Sequence, residues 1–153
     1  MITYQLESWA QYYNDPSREA LWWEHYNEFS PAHETRMPMA PDLDVYSALD
    51  KAGSLMVMTA RSQGRLVGYC IVVARRHMHY GALCGFEDAY YLSKEFRQGL
   101  AGYKLIKHML KALERRGVER SYWMTKEFLS IAKLFERLGM VKVDTVYAIW
   151  AGG

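Results

Sequence analysis

The chain has 153 residues, 50% of them hydrophobic, 14% aromatic and 24% charged, with a formal net charge of +2. This excludes an intrinsically disordered chain and fits a single domain, residues 1–153, large enough to bury a core. The charge is too small to argue for nucleic acid, no apolar run suits a membrane span, and without an N-terminal apolar signal a cytoplasmic protein is expected.

The N-terminal third reads as helical. Asn14-Asp15-Pro16 is a turn leading into a helix, with Pro16 tolerated in its first turn. Trp22, His25, Tyr26 and Phe29 recur at helical spacing, which puts Trp22 and Tyr26 on one face and leans Trp23 outward. Pro31, Pro38 and Pro41 break the next stretch. Asp42 is placed to cap a second helix through Val45, Tyr46 and Leu49 that Gly53 stops.

The pattern changes at Ser54. Leu55–Ala60 and Leu66–Ala74 are strand-length apolar runs around Arg61-Ser62-Gln63-Gly64-Arg65, a hairpin signature. A third strand is predicted from about Phe86 to Leu92, then a glycine-containing loop. Leu105, Ile106, Met109, Leu110 and Leu113 form an apolar helical stripe that Gly117 ends. Val118–Thr125 reads as a strand, and Phe128, Ile131, Ala132, Phe135 and Leu138 as a helical stripe closed by Gly139. Val141, Val143, Thr145, Tyr147 and Ile149 alternate as a last strand. Three strands followed by helix, strand, helix and strand imply an α/β (α+β) fold, a mixed central sheet flanked by helices.

Cys70 and Cys84 lack metal-ligand spacing and read as packed thiols. His77 and His79 alternate on one predicted strand face, but neither they nor His25 and His33 have a third ligand at the right spacing, so no metal is expected. One of these histidines could line an acceptor cleft. Six basic and two acidic residues between Lys104 and Arg120 give a local excess of +4, suited to a solvated helix face or to a phosphorylated cofactor.

The segment Leu92–Ile106 reads as a strand end, a short loop with Gly99, Ala101 and Gly102, and a helix start. Such a junction offers unpaired backbone N–H groups and the positive end of a helix dipole to an anion. It resembles the pyrophosphate loop of the GNAT acetyltransferases, Gln/Arg-x-x-Gly-x-Gly/Ala. Arg97 and Gly102 fill the first and last positions, Leu100 stands at the inner glycine, and Gly99 comes one place earlier. Ser62–Tyr69 resembles the family's hairpin between its second and third strands, and Ala132–Met140 its late helix. The three segments occur in family order and spacing over roughly Gly53–Ile149, and the chain looks most similar to small phage- or prophage-encoded members.

The resemblance implies the GNAT acyl-CoA N-acyltransferase fold. It also implies transfer of acetyl from acetyl-CoA to a small-molecule or peptide amine by direct attack. The N–H groups of Gln98, Gly99, Leu100, Ala101, Gly102 and Tyr103 would hold the pyrophosphate, with Arg97 adding charge and Tyr91, Leu92 and Lys133 completing the cofactor contacts. Donors near Leu92 would meet the thioester oxygen where the family's strand splays from its neighbour. Glu87, ten residues before Arg97, stands where some members carry a general-base glutamate, and Asp88 is expected on the opposite face. The usual tyrosine acid of the late helix is Phe135 here, and Leu129 replaces a common asparagine. Ser130, Tyr90, Tyr91 and Tyr147 are left as hydroxyls for that role. These departures keep open a catalytically weak CoA-binding or interaction module on the same fold. Family members often pair through late strands, so a homodimer involving Tyr147, Ile149 and Trp150 is also open.

Overall fold

A computed structural model describes residues 1–30 and 36–152. The expectations for Pro31 and His33 lie outside the described residues. The elements are β1 (Ile2–Glu7), α1 (Trp9–Tyr13), α2 (Arg18–Phe29), α3 (Leu43–Lys51), β2 (Leu55–Ser62), β3 (Arg65–Arg76), β4 (Leu83–Leu92), α4 (Ala101–Arg115), β5 (Arg120–Tyr122) and α5 (Ala132–Arg137). The strands form one five-stranded sheet in the order β1-β2-β3-β4-β5. The first three pairings are antiparallel, and the last, reached across α4, is parallel. No described helix is long and apolar enough to cross a membrane.

The chain begins with a strand rather than a helix, which corrects the reading of the N-terminal third. Ile2 and Tyr4 pack against the core under α4, and Tyr4 donates to the Ala101 carbonyl at 3.2 Å. The alternation is short and ends in Glu7, so only its pairing with β2 makes it a strand. Ser8 then starts α1 through a capping box with Gln11, and Asp42 caps α3 as its position predicts, accepting from the Val45 N–H at 3.1 Å.

The two sheet faces bury different chemistry. Under α4 lies an aliphatic core built on Leu105, Met109 and Leu113 of the predicted stripe, with Met58, Val72 and Leu92 from the sheet. Under α1–α3 lies an aromatic core of Trp9, Tyr12, Tyr69 and Tyr91, with Trp22 and Tyr46 packed against it. Trp23 is 45% exposed and sets its ring edge-on to Tyr26. Cys70 and Cys84 are buried free thiols.

The C-terminal part differs most from expectation. β5 shrinks to three residues, and α5 to six, with Phe128 outside it and exposed. Residues 141–149 form no strand, and Tyr147 and Ile149 are each 92% exposed. Alternation makes a strand only where a neighbour supplies a ladder, and the short β5 supplies little. His77 and His79 do not share a strand face either. β3 ends at Arg76, and His77 opens a turn in which its carbonyl accepts from the Gly81 N–H at 2.8 Å. Among the described residues no group of three metal-ligating side chains occurs.

One buried ion cluster fixes how β1 and the α1–α2 turn sit on the sheet. Arg61 forms a two-point pair with Glu7 (2.6 and 2.9 Å) and reaches Asp15 at 2.6 Å. Burial alone would raise both carboxyls. Hydrogen bonds from Arg61 and Thr59 to Glu7, and from Ser17 and Arg61 to Asp15, outweigh it and hold both below their ordinary values. Arg61→Met, which strands two buried carboxylates, is expected to lower unfolding free energy by about 3–5 kcal/mol in a urea titration. Depressed carboxyls stabilise the fold above their unfolded pKa, so the difference from wild type should be full at neutral pH. It should close as pH falls through the carboxylate range; a pH-independent difference would show that the charges are immaterial.

Candidate active site

The site begins where β4 outruns its partner. The parallel ladder pairs Cys84 with Arg120, Gly85 with Ser121 and Phe86 with Tyr122, and stops there, while β4 continues to Leu92. The bond from the Ser93 N–H to the Val67 carbonyl (2.9 Å) sets the alternation on the other edge. Tyr91 and Ser93 therefore turn their amides to β3, and Tyr90 and Leu92 turn theirs to the edge that β5 has left. The Leu92 N–H has no acceptor among the described residues.

Glu87 sits at the start of this gap. Its carboxylate accepts from the Met124 N–H at 3.3 Å, a side-chain substitute for the missing ladder bond. The group is half-buried. Burial pushes its pKa up to about 7, against the Met124 N–H and the Lys126 charge and with the help of Asp88. A register shift pairs Val72 with Glu87 and Ile71 with Ala89, leaving Asp88 as the extra residue of a bulge. The Asp88 carboxylate accepts from the Tyr46 hydroxyl at 2.6 Å, a different partner on a different element.

At the other end of the gap the chain turns into α4. Gly99 takes φ +73°, while Leu100 has an ordinary φ of −108°. The glycine displaced by one position thus carries the left-handed residue, and leucine at the inner position is unstrained. The first helix bond runs from the Lys104 N–H to the Leu100 carbonyl at 2.9 Å. The N–H groups of Gln98, Gly99, Leu100, Ala101, Gly102 and Tyr103 have no acceptor among the described residues. That is a continuous run of donors at a helix N-terminus. A β-carbon at Gly102 would stand 2.6 Å from the Tyr90 hydroxyl oxygen and 3.9 Å from side-chain carbons of Leu92 and Leu134. Tyr90, Leu92, Gly102 and α5 therefore meet at one place.

Other residues singled out by sequence lie elsewhere. Tyr91 is buried on the opposite sheet face, its hydroxyl donating to Glu28 at 3.0 Å and its ring stacked on His25 at 4.7 Å. Arg97 forms a bidentate pair with Glu28 (2.6 and 2.7 Å) and donates from Nε to the Leu92 carbonyl at 2.7 Å. Ser130 is exposed and accepts from the Ala132 N–H at 3.2 Å, Lys133 is exposed, and Tyr147 is far out in solvent. Phe135 is 8% exposed and packs edge-on to Trp123.

The aromatic face holds a cavity of about 250 Å³ whose wall includes Trp22, His25, Phe29, Tyr46, Tyr69 and Lys126. His25 Nδ1 lies 2.6 Å from the Tyr69 hydroxyl. Burial pushes the His25 pKa down to about 4, opposed by Glu28 and aided by Arg97 and Lys126, so the ring is neutral at physiological pH. Glu28 and Lys126 had no sequence motif to mark them. The helical spacing of Trp22, His25, Tyr26 and Phe29 was the one available signal of this wall.

The sheet is thus mixed and open between two parallel strands, with a raised carboxyl at one end of the opening and a row of free amides at the other. The chain belongs to the acetyltransferase (GNAT) family, whose sequence pattern matches residues 9–140. A search of curated protein sequences finds no match. Among solved structures the chain is similar to the aminoglycoside acetyltransferase meta-AAC0020 from an uncultured soil metagenomic sample, in complex with sisomicin. That match has 14% identity and TM-score 0.72, and covers 98% of this chain and 95% of that one. It is also similar to a ribosomal-protein-alanine N-acetyltransferase from Brucella melitensis biovar Abortus 2308 (18% identity, TM-score 0.73, 98% and 99% covered). A third is AAC(6')-Iy in complex with a bisubstrate analog of CoA (16% identity, TM-score 0.67, 98% and 97% covered). At these identities the likeness establishes the fold.

Proposed function

We propose that this protein transfers the acetyl group of acetyl-CoA to a primary amine by direct attack. The observation that carries the reading is the half-buried Glu87, raised to about 7, at the point where β5 leaves β4. The residues present fit acetyl-CoA: the unpaired amides from Gln98 to Tyr103 suit a pyrophosphate, and the open edge at Leu92 suits a thioester oxygen. When bound, acetyl-CoA supplies an activated acyl carbon and a sulfur leaving group.

The chain's own residues then divide the work. An alkylammonium has a pKa of about 10.4, so little neutral amine exists near pH 7. Glu87 takes that proton, directly or through one water, leaving a lone pair on nitrogen. The N–C bond forms as the C–S bond breaks, and the Leu92 N–H holds the carbonyl oxygen. Of the candidate hydroxyls, that of Tyr90 is the one at the loop, and burial keeps it protonated, so we assign it the proton given to the sulfur. The tyrosinate left behind is reprotonated, through water, by the second proton that the nitrogen sheds on becoming an amide. Calorimetric titration with acetyl-CoA, followed by a thiol-release screen over primary amines, tests the reading. Failure to bind acetyl-CoA would overturn it.

In this reading Arg97 is a strap rather than a phosphate ligand, because its guanidinium is matched by Glu28. Arg97→Ala is expected to cost about 1–3 kcal/mol of stability and to change acetyl-CoA affinity by less than roughly threefold, well under 1.4 kcal/mol. A large loss of affinity with unchanged melting would return Arg97 to the phosphate site.

A further inference from the structure

The outer side of α4 and the free edge of β1 enclose a groove that acetyl transfer leaves unused. We infer that this groove docks an acidic, extended segment of a partner protein. The segment adds to the sheet as a strand beside β1 and sets its carboxylates against Lys111 and Arg115.

The backbone half of the groove comes from β1. This strand pairs with β2 alone, so its other edge is open. The Gln5 carbonyl accepts from Thr59 Oγ1 at 3.3 Å, which places the Gln5 main chain toward β2. Alternation then turns the N–H and C=O groups of Tyr4 and Leu6 outward. Among the described residues these groups find no main-chain partner beyond the β2 ladder. Leu6 is 51% exposed, and no charge on β1 blocks this edge, since Glu7 is taken by Arg61. An edge of this kind is a template for an added strand.

The charged half comes from α4. Helical spacing puts Lys104, His108, Lys111 and Arg115 on one stripe, and all four are exposed. The Tyr4 ring stacks on His108 at 4.9 Å and joins the two halves. Between them lies a cavity of about 240 Å³, lined by Tyr4, Gln5, Leu6, Lys111 and Arg115 among others, with no carboxylate among its described wall residues. The ion pairs among the described residues use Arg61, Arg65, Lys94 and Arg97, so Lys111 and Arg115 are left without a carboxylate partner there. Glu114, the acid of α4, falls on the neighbouring face with Lys107.

The two halves agree in spacing. Lys111 and Arg115, one turn apart, are separated by about 6 Å along the helix. Residues i and i+2 of a strand, which share a face, are separated by about 6.8 Å. Carboxylates at those two positions would meet both cations. A nucleic acid fits less well, because its phosphates only accept hydrogen bonds and would leave the outward carbonyls of Tyr4 and Leu6 unmatched. A second copy pairing β1 with β1 would bring one cationic stripe against the other. The groove lies apart from the transfer site, with Lys111 about 15 Å along α4 from its first residue.

The experiment is calorimetric titration of the full chain with end-capped peptides of alternating Glu and Val, matched in length to β1. Further probes are the Lys/Val counterpart, Glu/Val peptides N-methylated on either the Glu or the Val residues, and oligothymidylate. The Glu/Val peptide should bind, more weakly as salt rises, and the Lys/Val peptide should not. One of the two N-methylated peptides should lose binding, because its methyl groups occupy the edge turned to β1. Lys111→Glu combined with Arg115→Glu should weaken the Glu/Val peptide at least roughly tenfold, with melting and acetyl-CoA affinity unchanged. Lys111→Gln is the second variant should melting show that the double variant does not fold. The inference is overturned by no binding of the Glu/Val peptide, by equal binding of the Lys/Val peptide, or by full binding of both N-methylated peptides. Tighter binding of oligothymidylate, or unchanged affinity in a folded variant, would overturn it as well. Acetyl-CoA binding and thiol release are read separately, so this groove and the transfer reading stand or fall independently.

Discussion

Glu87→Gln is expected to lower turnover by roughly 10²–10⁴-fold near neutral pH while leaving acetyl-CoA affinity unchanged. The amide oxygen of glutamine still accepts from the Met124 N–H, so the gap between β4 and β5 keeps its shape. What disappears is the proton acceptor. Because burial raises Glu87 to about 7, the group is protonated and idle below that pH and ionised above it. The wild-type rate should therefore rise with pH through about 7, and the glutamine variant should lose that limb. Steady-state thiol release between acid and mildly alkaline pH measures both. Wild-type turnover at every pH in the variant would reduce Glu87 to a structural carboxylate.

Gly102→Ala is expected to damage both cofactor binding and the fold, because its β-carbon would enter the space of the Tyr90 hydroxyl at 2.6 Å. Overpacking of this kind costs about 1–3 kcal/mol, and the displaced helix start misaligns the free amides of the loop. Combining it with Tyr90→Phe removes the opposing oxygen. The double variant should recover melting temperature and acetyl-CoA affinity but not turnover, since the proposed proton donor is gone. Melting curves with and without acetyl-CoA read the first two quantities. If the second substitution rescues nothing, the contact with Tyr90 is not what requires glycine. A tryptophan at this position would strike the same ring and disturb the fold as well as fill the phosphate space.

Elements that stabilise themselves through one-dimensional signals were legible in the sequence: the β2–β3 hairpin with its Gln63–Gly64 turn, the apolar stripe of α4, and the Asp42 cap of α3. Elements that depend on a partner were not. β1 is a strand because β2 offers it a ladder, and residues 141–149 are not one because β5 is short. The same division runs through the site. The loop from Gln98 to Tyr103 is set by local chain geometry and carries the glycines that the sequence shows, whereas Glu87 is singled out by the resemblance alone, and its burial and its contact with Met124 arise from distant elements. The hydroxyl of Tyr90 beneath Gly102, and the diversion of Arg97 to Glu28, arise from residues brought together from distant elements, which periodicity does not reveal. The displaced glycine is instructive: the pattern fails at Leu100, yet Gly99 supplies the backbone conformation the turn requires.

Glu28 stands on the same helix as His25 and Phe29, and so α2 is wall on one side and anchor on the other. Through Arg97 it is tied to the Leu92 carbonyl, at the mouth of the gap, and through Tyr91 to the strand that forms the gap. Rotating this helix would move the cavity wall and, through Glu28 and Arg97, pull on the Leu92 carbonyl at the open edge of β4. The two chambers therefore share one beam, and a change that widens one is felt as slack in the other.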